Sequence, residues 1–349
     1  MSLSSSDVLF VGRGVGVVSY YRTGSPAFNL GCDWIACAGR PNDPNEPLTV
    51  AAALKRGGIT MPDFTDYKIV VVQQASGQGW LNEIIRLKRA GVVVLYEIDD
   101  YLHYIHKVKH HKGAKYFTKK RLAEYEICMR ASSGLICSTD WLAKTYGKFN
   151  KNVYVCRNAI EGRRYDYLNV PERDTVNIGW AGGEGHVEAT RAWMAPLGNI
   201  LNEFKDARFI SMGLPVGEFI ADYFPDQVVS LPWCGIENFP GAMTNFDFCL
   251  GPADRNNFYA AKSDLRFLET GAIGIPLIGD PFVYSEIIHK ETGYRAENPV
   301  EAEEGMRFLL EHPDVAEEIS YNVRDYVLTN RTMEGKGATQ WEEVFKSVV

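Results

Sequence analysis

The 349-residue chain is 46% hydrophobic, 23% charged and 12% aromatic, which excludes a disordered protein, and its length suits two domains of roughly 150 residues each. The formal net charge of −7 taken alone argues against an anionic partner, but it hides an asymmetry. Residues 1–170 hold 23 Lys+Arg and 15 Asp+Glu, a balance of +8, while residues 171–349 hold 14 and 29, a balance of −15, so the two halves are expected to meet different ligands.

The elements follow a regular order. Short apolar strands alternate with longer amphipathic segments, the pattern of an α/β fold whose parallel sheets carry helices on both faces. Strands are predicted at Asp7–Gly12, Tyr67–Gln73, Val92–Ile98, Gly134–Ser138 and Val153–Cys156. Helices are predicted at Gly79–Ala90, through a long stretch after Ile98, and near Trp141–Tyr146. The polar segment Leu168–Thr175, with Pro171, reads as an interdomain linker. The alternation restarts with strands at Val176–Ala181, Ala207–Gly213, Gln227–Leu231, Phe246–Gly251 and Ile275–Gly279. Helices are predicted at Val187–Phe204, Lys262–Gly271, Val300–Glu311, Val315–Thr329 and Gly337–Val349. No run approaches ~18 apolar residues, so no transmembrane helix is predicted. The start lacks the charged and apolar regions of a signal peptide. Seven cysteines without a Cys-x-x-Cys pair fit reduced thiols in a cytoplasm better than disulfides or a structural zinc.

Three constellations carry chemistry. The first is Val11–Gly16 (VGRGVG), directly after the first strand. Glycines there allow a sharp turn or a close backbone approach to a ligand, but the spacing is not Gly-x-Gly-x-x-Gly, and no acidic residue ends a second strand as a dinucleotide site requires. The second is Gly179–His186 (GWAGGEGH), after the first strand of the second half. A diphosphate there would receive backbone N–H bonds, and His186 would add a donor; a flexible loop with a capping histidine fits the same residues. The third is Pro252–Pro276. A helix over Lys262–Gly271 would place Lys262, Arg266 and Glu269 on one face, with Lys262 opposing the helix dipole unless a phosphate sits beside it. A plain exposed face with ordinary charge pairs is the competing reading.

Two βαβ domains, each opened by a strand and a Gly-rich turn, with Lys262-x₆-Glu269 followed by a Gly-x-Gly-x-Pro turn, resemble the GT-B glycosyltransferases, specifically the large retaining family that includes sucrose and glycogen synthases. Tyr20–Arg22 with Pro26, Tyr96–Asp100, Gly179–His186 and Phe258–Glu269 look like a branch found among phage and bacterial reading frames. The resemblance implies two Rossmann-like domains facing a cleft: residues 1–170 for the acceptor, 171–332 for a UDP- or GDP-linked sugar, and a helix in 333–349 crossing back to the first domain. It implies that Gly14, Gly16, Gly182, Gly183, His186, Trp233, Arg255, Lys262, Ser263 and Glu269 hold the donor, with Glu269 on the ribose and Lys262 and Arg255 on the diphosphate. It implies transfer with retention, no cofactor and no metal, because side chains carry the leaving-group charge. The family usually has an earlier glutamate, which falls here at Ala261; Asp254, Asn256 or Asn257 are the nearest substitutes.

Asp99, Asp100 and His103 follow the third strand of the first half. They suit either a catalytic role toward an acceptor hydroxyl or donor sugar, or an N-cap. His103–Arg121 then holds six Lys, one Arg and four His with no acid. A single-sign run with interleaved aromatics fits a phosphate-rich partner. His103, His106 and His110 have helical spacing, but the cationic neighbours oppose a zinc ion. The acceptor set is therefore Tyr21, Arg22, Lys107, Lys109, Lys112, Lys115, Lys119, Lys120 and Arg121. The acceptor is expected to be anionic: DNA with a hydroxylated base, or a phospholipid or phosphorylated glycan at a membrane surface. A nucleotide-sugar epimerase, a sugar phosphorylase and a non-catalytic binding module are the alternatives.

Overall fold

The computed structural model describes residues 4–38, 49–54 and 61–349. Two sheets organise the chain. The first contains β1 (Val8–Gly12), β2 (Asp33–Ala38), β3 (Thr49–Leu54), β4 (Ile69–Gln73), β5 (Val93–Ile98), β6 (Gly134–Cys137) and β7 (Val153–Val155), in the order β3-β2-β1-β4-β5-β6-β7. All neighbours are parallel except β2 and β3, which are antiparallel. The second contains β8 (Val176–Gly182), β9 (Ala207–Gly213), β10 (Val228–Leu231), β11 (Phe248–Gly251), β12 (Leu277–Gly279) and β13 (Gly293–Arg295), all parallel in the order β10-β9-β8-β11-β12-β13. This is the two-domain GT-B architecture.

The strands form where they do because apolar runs are buried on both faces by helices. Val8, Leu9, Phe10 and Val11 are all buried, and so are Ile69 to Val72. Each sheet begins at its centre. The chain builds outward from β1 to β3, then returns to β4 on the other side; it does the same from β8 to β10 and back to β11. Two reversals of strand order result, and ligands in such sheets bind beyond the carboxyl ends of the strands at that point. One glycine is obligatory for the packing: a Cβ on Gly179 would lie 2.1 Å from the Phe246 ring.

The chain ends on the first sheet. Helix Ala338–Val348 buries Trp341, Val344 and Phe345 against Val8 and Phe10, with the Phe10 ring 5.3 Å from Trp341 and 5.8 Å from Phe345. Segment 168–175 has no regular structure, and the Arg324 guanidinium donates to the carbonyl of Leu168 at 2.7 Å. Among the described residues, no helix is long and apolar enough to cross a membrane.

Three expectations are corrected. The basic stretch is not one helix: it runs as a turn of helix Leu102–Ile105, a 3₁₀ turn Lys112–Tyr116 and a helix that begins at Lys119, N-capped by the Thr118 hydroxyl. His110 between them has φ of 63°, so the histidine spacing is not helical. The helix expected over Lys262–Gly271 begins at Leu265, and that over Val187–Phe204 is interrupted at Trp193. Strands β2, β3 and β13 were not anticipated.

Trp341 is 1% exposed. Trp341→Ala should lower the unfolding free energy by about 3–5 kcal/mol, while Tyr223→Ala, at an 80% exposed position, should change it by less than about 0.5 kcal/mol. Denaturant titration followed by circular dichroism reads both.

Candidate functional site

The two carboxyl edges face each other across a cavity of about 250 Å³. From the first sheet, the segment after β1 brings Tyr21 and Arg22, and the end of β5 brings Asp99 and Asp100. From the second, the last residue of β8 is Gly182, the turn after it brings His186, and the segment after β10 brings Trp233. The residues leading into helix Leu265–Gly271 bring Lys262 and Ser263, and the helix itself brings Arg266 and Glu269.

Polar contacts tie the edges together. The Tyr21 hydroxyl donates to Glu269 Oε1 at 2.6 Å. Lys262 Nζ donates to Asp100 Oδ1 at 2.6 Å. Asn158 Nδ2 donates to Ser263 Oγ at 2.7 Å. Tyr21 and Arg22 sit in one π-helical turn, Tyr20–Gly24, and face different partners. Arg22 is 1% exposed; its Nε donates to Glu97 Oε1 at 2.7 Å, and its Nη1 donates to the Cys156 carbonyl and to Asn158 Oδ1.

Burial governs the titrating groups. It pushes Glu269 up to about 7, against the pull of the Tyr21 hydrogen bond and the Arg266 charge. It pushes Glu97 up to about 7 as well, with Arg22 opposing. Asp99 is raised by burial and by the neighbouring Asp100 charge, and its Oδ1 accepts from Gln74 Nε2 at 2.7 Å. Burial alone would raise Asp100, but the Lys262 ammonium outweighs it and holds that carboxyl below its ordinary range. His186 lies well below its ordinary value because of burial and the Arg266 and Lys262 charges, so it is neutral at pH 7. Two buried polar atoms of the lining residues, Arg22 Nη2 and His186 Nδ1, have no hydrogen-bond partner among the described residues. Such groups are uncommon, and a ligand in the cavity is one way to satisfy them.

Trp233 is 58% exposed. Its ring lies over Gly183, where a Cβ would be 3.6 Å from the ring, and beside Gly213, whose φ of 98° favours glycine. A large exposed indole at a cavity mouth is a stacking platform for a flat ligand.

Several residues fall elsewhere. His103 is hydrogen-bonded to Glu126 at 3.0 Å and lies outside the cavity lining. Arg255 pairs with Asp280 at 2.9 Å and Glu297 at 3.0 Å, also outside the lining. Gly14 and Gly16 are in a half-buried to exposed turn, with open space where a Cβ would be. Lys262 lies before the helix, two residues ahead of its N-cap Asp264, and not in its first turn. Ala261 is fully buried against the core of the first sheet, and neither it nor Asn256 or Asn257 lines the cavity.

In the basic stretch, Lys112 pairs with Glu184 at 2.9 Å and His110 with Glu188 at 2.7 Å. Arg121 pairs with Glu124 and lies over the Tyr125 ring. Lys107, Lys109, Lys115, Lys119 and Lys120 are exposed, and none of them has an ion pair among the described residues. The sequence reading did not assign a role to Arg266, although its place on one face with Lys262 and Glu269 was visible. It also did not assign Tyr259 or Asn158, whose positions carry no sequence signal.

No family model matches the chain, and no curated protein matches it. Solved structures do. Superposition on a glycosyltransferase from Rickettsia africae gives a TM-score of 0.64 at 12% identity, over 98% of each chain. TarM of S. aureus, solved with fondaparinux, α-GlcNAc-glycerol and UDP, gives 0.58 at 13% identity, over 80% of this chain and 55% of TarM, so this chain matches about half of that protein. A putative UDP-N-acetylglucosamine 2-epimerase from Listeria monocytogenes gives 0.55 at 11% identity, over 98% and 96%. At these identities the likeness establishes the fold, and the activity must be argued from the site.

Arg22→Met leaves Glu97 buried without its cation and should cost about 3–5 kcal/mol of stability. Lys346→Met, whose ion pair with Glu342 has side chains 70% and 51% exposed, should cost under about 1 kcal/mol. Denaturant unfolding of the ligand-free protein distinguishes them.

Proposed function

We propose that the protein transfers a sugar, with retention, from a UDP- or GDP-linked donor to an anionic acceptor. In this reading residues 171–332 hold the donor, 1–170 receive the acceptor, and 333–349 return to brace the first domain. One observation carries it. Trp233, His186, Lys262, Arg266 and Glu269 line a single cavity at the carboxyl end of β8, and together they match the parts of a nucleotide-sugar.

Each part has a chemical counterpart. The Trp233 indole offers a face to the base. The Glu269 carboxylate accepts from the two ribose hydroxyls, a role acidic residues fill in related sheets. Lys262, Arg266 and the unpartnered His186 Nδ1 surround the space for the diphosphate. Lys262 now donates to Asp100; a diphosphate would compete for that ammonium and free the aspartate. The bond from the sugar C1 to the phosphate oxygen then breaks, and C1 bonds to the acceptor oxygen on the same face. The acceptor proton passes to the leaving phosphate. Asp99 and Asp100 orient the acceptor hydroxyl. The protein's own cations balance the leaving group, so the proposed reaction uses no metal. Lys115, Lys119 and Lys120 extend a positive surface beyond the cleft that suits an anionic acceptor.

UDP or GDP should raise the melting temperature, by about 2.7 kcal/mol of added stability at a hundredfold excess over Kd. Glu269→Ala, Arg266→Ala and Trp233→Ala should each weaken the nucleotide by about 10–100-fold, and Arg255→Ala should not. If no nucleotide stabilises the protein, the donor reading is wrong. Conversion of a nucleotide-sugar in the absence of any acceptor would reassign the enzyme as an epimerase.

A pH prediction follows from Glu269, which is pushed up to about 7. The ionised carboxylate is the better acceptor, so uridine or guanosine affinity should rise between about pH 6 and about pH 8, and the rise should vanish in Glu269→Gln. In the free protein the sign is opposite. The stabilising contribution of the protonated carboxyl is full below the ordinary 4.5 and is lost as pH rises through about 7.

A further inference from the structure

A second cavity, of about 320 Å³, adjoins the first. The Tyr259 ring borders both. Its other walls come from two places: Tyr104, Lys107 and Lys109 belong to the basic stretch, while Asp254 and Phe258 belong to the second domain.

The cavity exists because the basic stretch lies across the second domain. The backbone N–H of Lys112 donates to Glu184 Oε2 at 2.7 Å, and the Lys112 ammonium pairs with the same carboxylate. His110 Nε2 meets Glu188 Oε1 at 2.7 Å. Gly185 lies under this strap; a Cβ there would press on Phe258 at 2.9 Å and reach Val108 at 4.0 Å. The strap thus forms one wall and the roof.

The charged groups facing the space are Lys107, Lys109, Glu188 and Asp254, of which Glu188 is already paired with His110; the Asn256 side chain also lines it, and its Oδ1 accepts from the backbone N–H groups of Phe258 and Tyr259. Lys107 and Lys109 have no ion pair among the described residues, and each offers three N–H donors to an anionic group. The Asp254 carboxylate also lacks an ion pair and a side-chain hydrogen bond among the described residues, and it accepts only. A ligand that satisfies both must carry an anionic group and hydroxyl donors together. DNA phosphates meet the first requirement and not the second. The volume suits a small ligand and not a duplex.

We infer that this second cavity binds an acidic saccharide, bearing a phosphate or a carboxylate, as part of the acceptor, with a free hydroxyl directed past Tyr259 toward the donor cavity. The inference rests on the glycosyl-transfer reading and names the acceptor class that reading leaves open.

The test is isothermal titration of the full-length protein, saturated with UDP or GDP, with glucose 6-phosphate, glucuronic acid, glucose and inorganic phosphate. At least one of the two acids should bind ten times more tightly than glucose or phosphate, and which one binds tells phosphate from carboxylate. Lys107→Gln/Lys109→Gln should weaken that acid at least tenfold and leave nucleotide affinity unchanged. Asp254→Asn should weaken it as well, without altering nucleotide binding. Equal binding of the acids and glucose, or an unaffected double variant, overturns the inference. So does tight binding of a hydroxymethylated DNA duplex that is lost in the double variant while the saccharides fail to bind. Failure of the wild-type protein to bind any nucleotide sinks the donor reading instead; the same titrations of the ligand-free protein then decide the second cavity, where a tenfold preference for an acid that is lost in the double variant supports it and its absence overturns it.

Discussion

The buried contact between Arg22 and Glu97 is the point on which the cleft depends. A guanidinium and a carboxylate with almost no exposure hold each other inside the first domain, where either alone would be strongly unfavourable. The pair joins the turn after β1 to β5, and Arg22 extends the link to the end of β7 through the Cys156 carbonyl. Arg22 also lies 5.6 Å from the Trp341 ring, so the terminal helix packs over the same point. Tyr21, one residue earlier, points the other way and donates to Glu269 of the second domain. Two adjacent side chains therefore fix Glu269 relative to the first sheet. The pair also sits beside Asp99, whose raised value reflects burial in this region.

The charge asymmetry acquires a second meaning. The basic and acidic halves meet each other. Lys112 and His110 are joined to Glu184 and Glu188, and Lys262 to Asp100. The strap contacts are largely exposed and individually weak. Together they lay one segment across the second domain and define a polar chamber beside the first cavity. Charges left over after this pairing, and not the net charge of either half, are the ones a ligand would meet.

Much of the fold was legible because of how parallel sheets are built. Strands covered on both faces appear as continuous apolar runs, and β1, β4, β5, β6, β8 and β9 all read that way. β2, β3 and β13 did not. β13 is three residues, Gly-Tyr-Arg, with no run to detect. β3 pairs antiparallel at the outer edge, where pairing and not composition defines the strand. Boundaries within helices also failed. Lys262 was placed on a helix because its spacing to Arg266 and Glu269 fitted one, yet the helix begins after Asp264. The three still converge on one cavity.

By itself the sequence determined the α/β class and the alternation that produces two sheets, and it marked Glu269, Lys262 and the Gly179–His186 turn as separate candidates. Those features follow from local periodicity and from glycines placed after strands, which short windows contain. Tertiary structure alone decided which charges are free. Arg22 and Arg255 read as ligand-binding cations, but a buried carboxylate claims one and two acids from distant segments claim the other. Arg266 read as one more charge on a helix face, and the structure puts it in the cavity wall, where its guanidinium donates to the Leu250 and Ala181 carbonyls. The difference arises because an ion pair is set by proximity in space across 75 residues or 42, and sequence spacing carries no record of that distance.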